Sequence, residues 1–268
     1  MTNIRRALEA AAAGGDSATY VEDVFSTYVY TGTGATLAIN NGIDLSGEGG
    51  LVWIKNRTNT NGHRQIDTNR GVLKVLESYD ETAEATESGS LTAFNSNGFT
   101  VGDSVHTNEV NDKTVSWTFR KAPGFFDVVT YTGNGANRTI SHNLECVPAF
   151  IVVKRTSSAE DWTCYQHDVG ATKYLQLNGT GAADTLAEAW NDTAPTSSVF
   201  TVGTHARVNT NTETYVAYLF AGTGDAASQI FGADSDESII KCGSFTSSAT
   251  WGNYKVDLGW EPQYVLIK

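Results

Sequence analysis

Laid against itself, the chain repeats three blocks of sequence in the same order, and this constrains its fold more than any single motif does. The first block runs an aromatic residue into a glycine turn: Tyr30-Thr31-Gly32-Thr33-Gly34 returns as Tyr131-Thr132-Gly133-Asn134-Gly135, with a looser echo at Phe245-Thr246. Glycine takes positive φ at little cost, so a strand is expected to end there in a tight turn. The second block opens on leucine and closes on lysine, at Leu45 to Lys55, Leu144 to Lys154 and Leu258 to Lys268. Inside it lie Leu51-Val52-Trp53-Ile54, Phe150-Ile151-Val152-Val153 and Tyr264-Val265-Leu266-Ile267. Such continuous apolar runs predict strands covered on both faces or ending in a subunit interface. The third block pairs Phe99-Thr100-Val101-Gly102 with Phe200-Thr201-Val202-Gly203, then Val115-Ser116-Trp117-Thr118-Phe119 with Val216-Ala217-Tyr218-Leu219-Phe220. Its two-residue period predicts a half-buried antiparallel strand, with Val115, Trp117 and Phe119 on the apolar face.

These repeats predict an all-β fold of tandem β-sandwich or jelly-roll units of about 100 residues, strung like beads and preceded by a short N-terminal helix. The expected boundaries are residues 1–23 for a docking helix and linker, 24–122 and 125–222 for two sandwich units, and 239–268 for the start of an incomplete third. That third unit stops in mid-pattern, and an open partial sheet leaves edge groups for further residues or another chain to pair.

Thr2 or Asn3 can cap the helix, Ile4, Leu8, Ala11 and Ala12 share one face, and Gly14-Gly15 ends it. Three turns do not hold alone in water, and Arg5 and Arg6 sit at the positive end of the helix dipole. The helix is therefore expected to dock on a partner protein or to bundle with its own copies.

Thirty acidic residues against eighteen basic ones leave a net charge of −12, which repels a nucleic-acid backbone. Cys146, Cys164 and Cys242 lack metal-ribbon or redox spacing and read as buried free thiols. No stretch is long and apolar enough to predict a membrane span, and the alanine run holding Glu9 is no secretion signal.

The order Val24-Phe25-Ser26-Thr27-Tyr28, Asn41-Gly42-Ile43-Asp44-Leu45, Gly49 to Lys55, and Trp117 to Val128 with its Arg-Lys-Ala-Pro junction and Phe-Phe-Asp-Val strongly resembles a family of repeat-containing proteins of marine bacteriophages. Its members are labelled tail fibre or structural protein, and the resemblance covers nearly the whole chain. It implies a virion component and carries no catalytic residues across.

A search for chemistry predicts none: no enzyme activity, no cofactor, no metal. Gly15-Asp16-Ser17 and Gly102-Asp103-Ser104 have the look of an esterase triplet, but the counterpart of the second is Gly203-Thr204-His205, so both read as turns. Gly32-Thr33-Gly34, Gly179-Thr180-Gly181 and Gly222-Thr223-Gly224 lack the third glycine of a dinucleotide loop and read as hairpin turns. Asp80, Glu81, Glu84 and Glu87, and Asp234, Asp236 and Glu237, read as solvated loops, with weak calcium binding as the sharper alternative. Trp162, Tyr165, Tyr174, Trp190 and Trp251 lie outside the repeated strand blocks and are the candidates for stacking on host glycan. The sequence thus predicts a homotrimeric tail fibre or appendage, attached by its N-terminus and contributing to host attachment. A carbohydrate-binding adhesin, a head-surface decoration fibre and a glycan-cleaving fibre are the alternatives.

Overall fold

The computed structural model describes residues 18–246 and 255–268; the docking-helix residues Ile4, Arg5, Arg6, Leu8, Ala11 and Ala12 lie outside them. The fold is all-β, in several antiparallel sheets, with a few single-turn helices. The first half comprises α1 (Val21–Val24), β1 (Phe25–Thr31), β2 (Leu37–Asn40), β3 (Gly50–Asn56), β4 (Arg64–Asp67), β5 (Lys74–Val75), β6 (Ala85–Thr86), β7 (Leu91–Asn95), β8 (Gly98–Val101), α2 (Val105–Asn108) and β9 (Lys113–Arg120). The second comprises β10 (Phe126–Thr132), β11 (Arg138–Ser141), β12 (Phe150–Arg155), β13 (Thr163–Gln166), β14 (Lys173–Gln176), β15 (Asp184–Thr185), α3 (Ala187–Trp190), β16 (Val199–Val202), α4 (Ala206–Asn209) and β17 (Thr214–Phe220).

The main sheets follow the same walk, β1-β9-β3-β4 in the first half and β10-β17-β12-β13-β14-β15 in the second. The register matches too: Phe25 faces Phe119 as Phe126 faces Phe220. A small sheet, β2-β8-β7 or β11-β16, covers one face of each main sheet. The turn between them is tight for a steric reason. A Cβ on Gly32 would lie 2.0 Å from the Glu109 carbonyl oxygen, and one on Gly133 2.1 Å from that of Thr210. These glycine turns carry the chain from one sheet to the other, so they are arches and not the expected hairpins.

A buried asparagine locks each arch. Asn108 Oδ1 accepts from the Thr33 amide at 2.8 Å while its Nδ2 donates to Ala35 and Gly102 oxygens; Asn209 does the same for Asn134, Ala136 and Gly203. Fully satisfied, each side chain avoids the penalty of a buried amide.

Three apolar cores result. One lies within the first half, built from Ile39, Ile43, Val52, Ile54, Ile66 and Phe99, and one within the second, built from Ile140, Ile151, Val153, Trp190, Phe200 and Leu219. The third draws on both halves through Phe25, Leu51, Leu76, Phe119, Phe126, Val128, Val152, Trp162, Val216 and Tyr218. The halves are therefore fused through a core and do not hang as separate beads. In β9 the polar face expected to be solvated is buried as well, so the strand is covered on both faces, Val115 and Phe119 being buried on the other. Thr114, Ser116 and Thr118 are fully buried against the small sheet, Thr118 Oγ1 accepting from Asn41 Nδ2, whereas Trp117 on the apolar face is half-buried. Tyr264 to Lys268, expected as a strand, forms no ladder.

Candidate functional site: a clasp and an open aromatic face

Alternation along the strands gives each main sheet an inner face, toward its small sheet, and an outer face. On the second half the outer face carries Val128, Val152, Lys154, Val216 and Tyr218, beside Trp162 and Cys164. The segment that leaves β4 of the first half crosses this face like a clasp. Tyr218 Oη donates to Asp67 Oδ2 at 2.8 Å, and Arg70 Nε donates to the same oxygen at 2.6 Å. Arg70 also reaches Tyr218 Oη at 3.2 Å and Glu84 Oε2 at 3.2 Å. Asp67 is wholly buried and the Arg70 side chain nearly so. Burial works against the Arg70 charge, but the Asp67 and Glu84 carboxylates outweigh it and hold the guanidinium above its ordinary range. Burial, then Asp67, pushes the Tyr218 phenol well up, so it stays a neutral donor.

Further along, Leu76 is sealed into the shared core at 0% exposure, and Asn69 Nδ2 donates to the Val128 carbonyl at 2.8 Å. Trp162 Nε1 donates to the Glu77 carbonyl at 3.0 Å, and Lys154 Nζ to the Glu81 carbonyl at 2.8 Å. Lys154 is 0% exposed, lies 5.9 Å from the centroid of the Trp162 ring and also donates to Glu160 O. Burial pulls its pKa down to about 8, against the pull of Asp80 and Glu160. Of the carboxylates expected in solvated loops, Glu81, Asp234, Asp236 and Glu237 are exposed, whereas Glu84 and Glu87 are drawn into ion pairs. Glu84 pairs with Arg70 and Lys74, and Glu87 with Arg64 and the Ser104 hydroxyl. Ser104 of the Gly-Asp-Ser triplet is the N-cap of α2, accepting from the His106 amide. Among the described residues no three His, Cys, Asp or Glu side chains gather as a metal site, and no helix is long and apolar enough to cross a membrane. The three thiols are free, and burial pushes each up to about 12.

The outer face of the first half carries the matching residues, Thr27, Trp53, Lys55, Val115 and Trp117 beside His63, but no clasp. Trp53 Nε1 donates to His63 Nδ1 at 2.8 Å, which leaves the imidazole proton on Nε2, and His63 stacks on Trp117 at 6.3 Å and 13°. Burial, then Lys55, lowers the His63 pKa. Lys55 turns to carbonyls of its own loop, Asn56, Asn59 and Asn61. Residues 263 and 264 partly cover this face: Thr27 Oγ1 donates to the Gln263 carbonyl at 3.3 Å, and the Tyr264 ring packs against Phe25, Trp53, Trp117 and Phe119 at centroid distances of 5.4–6.3 Å, where burial raises its phenol pKa.

Residues 21–268 match the family model described as Domain of unknown function (DUF7483). The chain belongs to this family. No curated protein and no solved structure matches it. Of the glycan-stacking candidates in this DUF7483 chain, Trp162 and Trp190 are each 1% exposed and Tyr165 is buried, so the exposure expected of them is absent. Trp162 is roofed by the clasp, and Trp190 and Tyr165 pack edge to face in the second-half core. Tyr174 is half-buried under Arg207, 5.2 Å from its ring centroid, and Trp251 lies outside the described residues. The exposed aromatics are others, Tyr28, Tyr79 and Trp260 among them, while Trp53 and Trp117 of the repeated strands are half-buried.

Proposed function

We propose that this chain is an architectural, non-enzymatic component of a bacteriophage virion, in a tail fibre or similar appendage, built from two tandem β-sandwich units and the beginning of a third. The observation that carries the reading is the clasp. A loop of one half is bonded across the sheet of the next by a buried ion-pair network and a continuous apolar core, leaving no flexible linker at the joint. A stiff joint of this kind suits a part that transmits load along an appendage, and the chain spends its buried polar groups on holding it. The resemblance to phage tail-fibre proteins points the same way. In this reading the chain assembles as a homotrimer, its N-terminal segment attaches it to other virion proteins, and its far end contributes to host attachment, where surface glycan is the receptor chemistry.

The test is to purify particles of the phage that encodes the chain and to label them with antibodies raised against residues 24–222. Label confined to the tail or its appendages is the expected result. Chain that is abundant in infected cells yet missing from purified particles would end the proposal. Removing residues 1–15 is expected to abolish incorporation while leaving the protein folded.

A further inference from the structure

We infer that β1, the edge strand of the first main sheet, pairs with β1 of a second copy of this chain, antiparallel and across a two-fold axis at Val29. The two main sheets differ at their edges. In an antiparallel ladder every second residue exchanges both backbone bonds with the partner strand, and the residues between turn theirs outward. Gly32 donates to the Asp112 carbonyl and Gly133 to that of Glu213, each at 2.8 Å, one step beyond the end of β1 and of β10. Counting back through the registers, Ser26, Tyr28 and Tyr30 bond to β9, and Asp127, Val129 and Tyr131 bond to β17. The outward groups are therefore those of Phe25, Thr27, Val29 and Thr31 in the first half, and of Phe126, Val128, Thr130 and Thr132 in the second.

The second edge is guarded. Ala122 donates to the Phe126 carbonyl, Asn69 Nδ2 to that of Val128 and Arg138 Nη2 to that of Thr132, while the Val128 amide donates to Asp127 Oδ1. This leaves Thr130 as the fully bare position there among the described residues. At the first edge Ser26 and Leu37 stand where Asp127 and Arg138 stand in the second, and neither side chain holds an edge group. The Phe25 amide donates to the Val21 carbonyl, but among the described residues nothing bonds the outward amide and carbonyl of Thr27, Val29 or Thr31. Gln263 meets the Thr27 hydroxyl, on the outer face, and takes no backbone group of the edge. Thr27, Tyr28, Val29 and Thr31 are exposed, Val29 at 54%.

A long bare edge without proline, bulge or lysine is a template for another strand. Its own copy fits it. Centred on Val29, the pair sets Val29 against Val29 and Thr27 against Thr31, so that the three outward amides of each copy find the three outward carbonyls of the other. Tyr28 then lies opposite Tyr30 on the other face of the sheet. No side chain of β1 is charged, so the copies bring no like charges together. The contact is isologous and closes on itself. It goes beyond the trimer proposed above and does not depend on it, because a two-fold contact doubles whatever else the chain forms.

The experiment is light scattering on the purified full-length chain and its edge variants. The wild type is expected at about twice the mass of Val29→Lys, which sets like charges face to face across the axis. The ratio is the same whether the smaller species is a trimer or a monomer, so a failure of the trimer reading leaves it standing. Val29→Glu should halve the mass as well, and an equal mixture of the two variants should restore it, because opposite charges then face each other. Thr130→Lys, on the guarded edge, should leave the mass unchanged. Val29→Cys keeps a small side chain and reads the contact even where the charged variants melt early. It should link two chains under mild oxidation, since residues facing each other in such a pair lie about 5.5 Å apart at Cα, within disulfide reach. A wild type no heavier than Val29→Lys, a mixture that stays small, an equal loss of mass in Thr130→Lys, or a Val29→Cys chain that forms no linked pair overturns the inference.

Discussion

Two sheets with the same strand order and the same register meet different fates in this chain. The outer face of the second half is shut beneath a loop from the first, while the outer face of the first half keeps Thr27 exposed and Trp53 and Trp117 half-open. The repeat thus dictates the sheet and leaves its cover to the neighbour. Where a neighbour is present, positions on that face turn to joint-specific chemistry, a phenol for Asp67 and an indole for the Glu77 carbonyl. Where only residues 263 and 264 lie on it, the face keeps aromatics that satisfy each other, as Trp53 does with His63.

The sharpest way to break the comparison is to remove the charge at the centre of the clasp. Arg70→Met leaves the buried Asp67 carboxylate without its guanidinium, and Glu84 loses the same partner. Loss of about 3–5 kcal/mol is expected in urea unfolding. Val169→Met, at the matching half-buried position of the second half, should change stability by under about 1 kcal/mol. Equal losses at the two positions would mean that the halves are not covered differently. Leu76→Ala comes next, with about 2–5 kcal/mol lost from a fully sealed site. Leu175→Ala should cost about half as much or less, because that side chain is still partly in water.

Much of the sheet architecture was legible in the sequence, and little of the joint was. The blocks around Lys55 and Lys154 and the closing strands announce themselves because packing on the inner face demands the same residue types in both halves, as at Val52 and Ile54 or Ile151 and Val153. The clasp hides because it is made of differences. Asp67, Arg70 and Tyr218 stand where Gln166, Val169 and Trp117 stand in the other half, and the Tyr218–Asp67 bond spans most of the chain, beyond the reach of local pattern. Burial of the aromatics misled for a related reason. Trp162 lies outside any repeated block since its counterpart is His63, yet it is buried because the clasp sits on it. Asn108 and Asn209 were findable. They recur at the interval of the third block, and a polar side chain that repeats between two apolar strands signals a buried backbone lock.

Tyr218→Phe sharpens the comparison at a single atom. It removes the hydroxyl that donates to Asp67 and accepts from Arg70 while keeping the ring that stacks with Phe126. About 1–3 kcal/mol should be lost, since a buried carboxylate oxygen gives up a donor. Trp117→Phe removes no comparable bond and should cost less by the same assay.

The smallest effect is read as a slope. Lys154 has its pKa lowered by burial from 10.5 in the ordinary side chain to about 8, so between those values the unfolded chain holds a proton that the folded chain has released. Stability from this group therefore rises with pH across that window and is lost as pH falls through about 8. The buried thiols act in the opposite sense, because their pKa values are raised from 9.0 to about 12 and their contribution declines above pH 9. The clean interval is pH 8 to 9, where the rise should stay under about 1.4 kcal/mol. Lys154→Met loses a constant amount at every pH, because the Glu81 and Glu160 carbonyls lose their donor, but it should also flatten the rise. Lys55→Met removes a lysine that is half-buried, whose bonds all lie in its own loop, and should leave the slope as in the wild type. If both variants flatten it equally, the clasp is not what sets Lys154 apart, and the contrast between closed and open faces loses its electrostatic half.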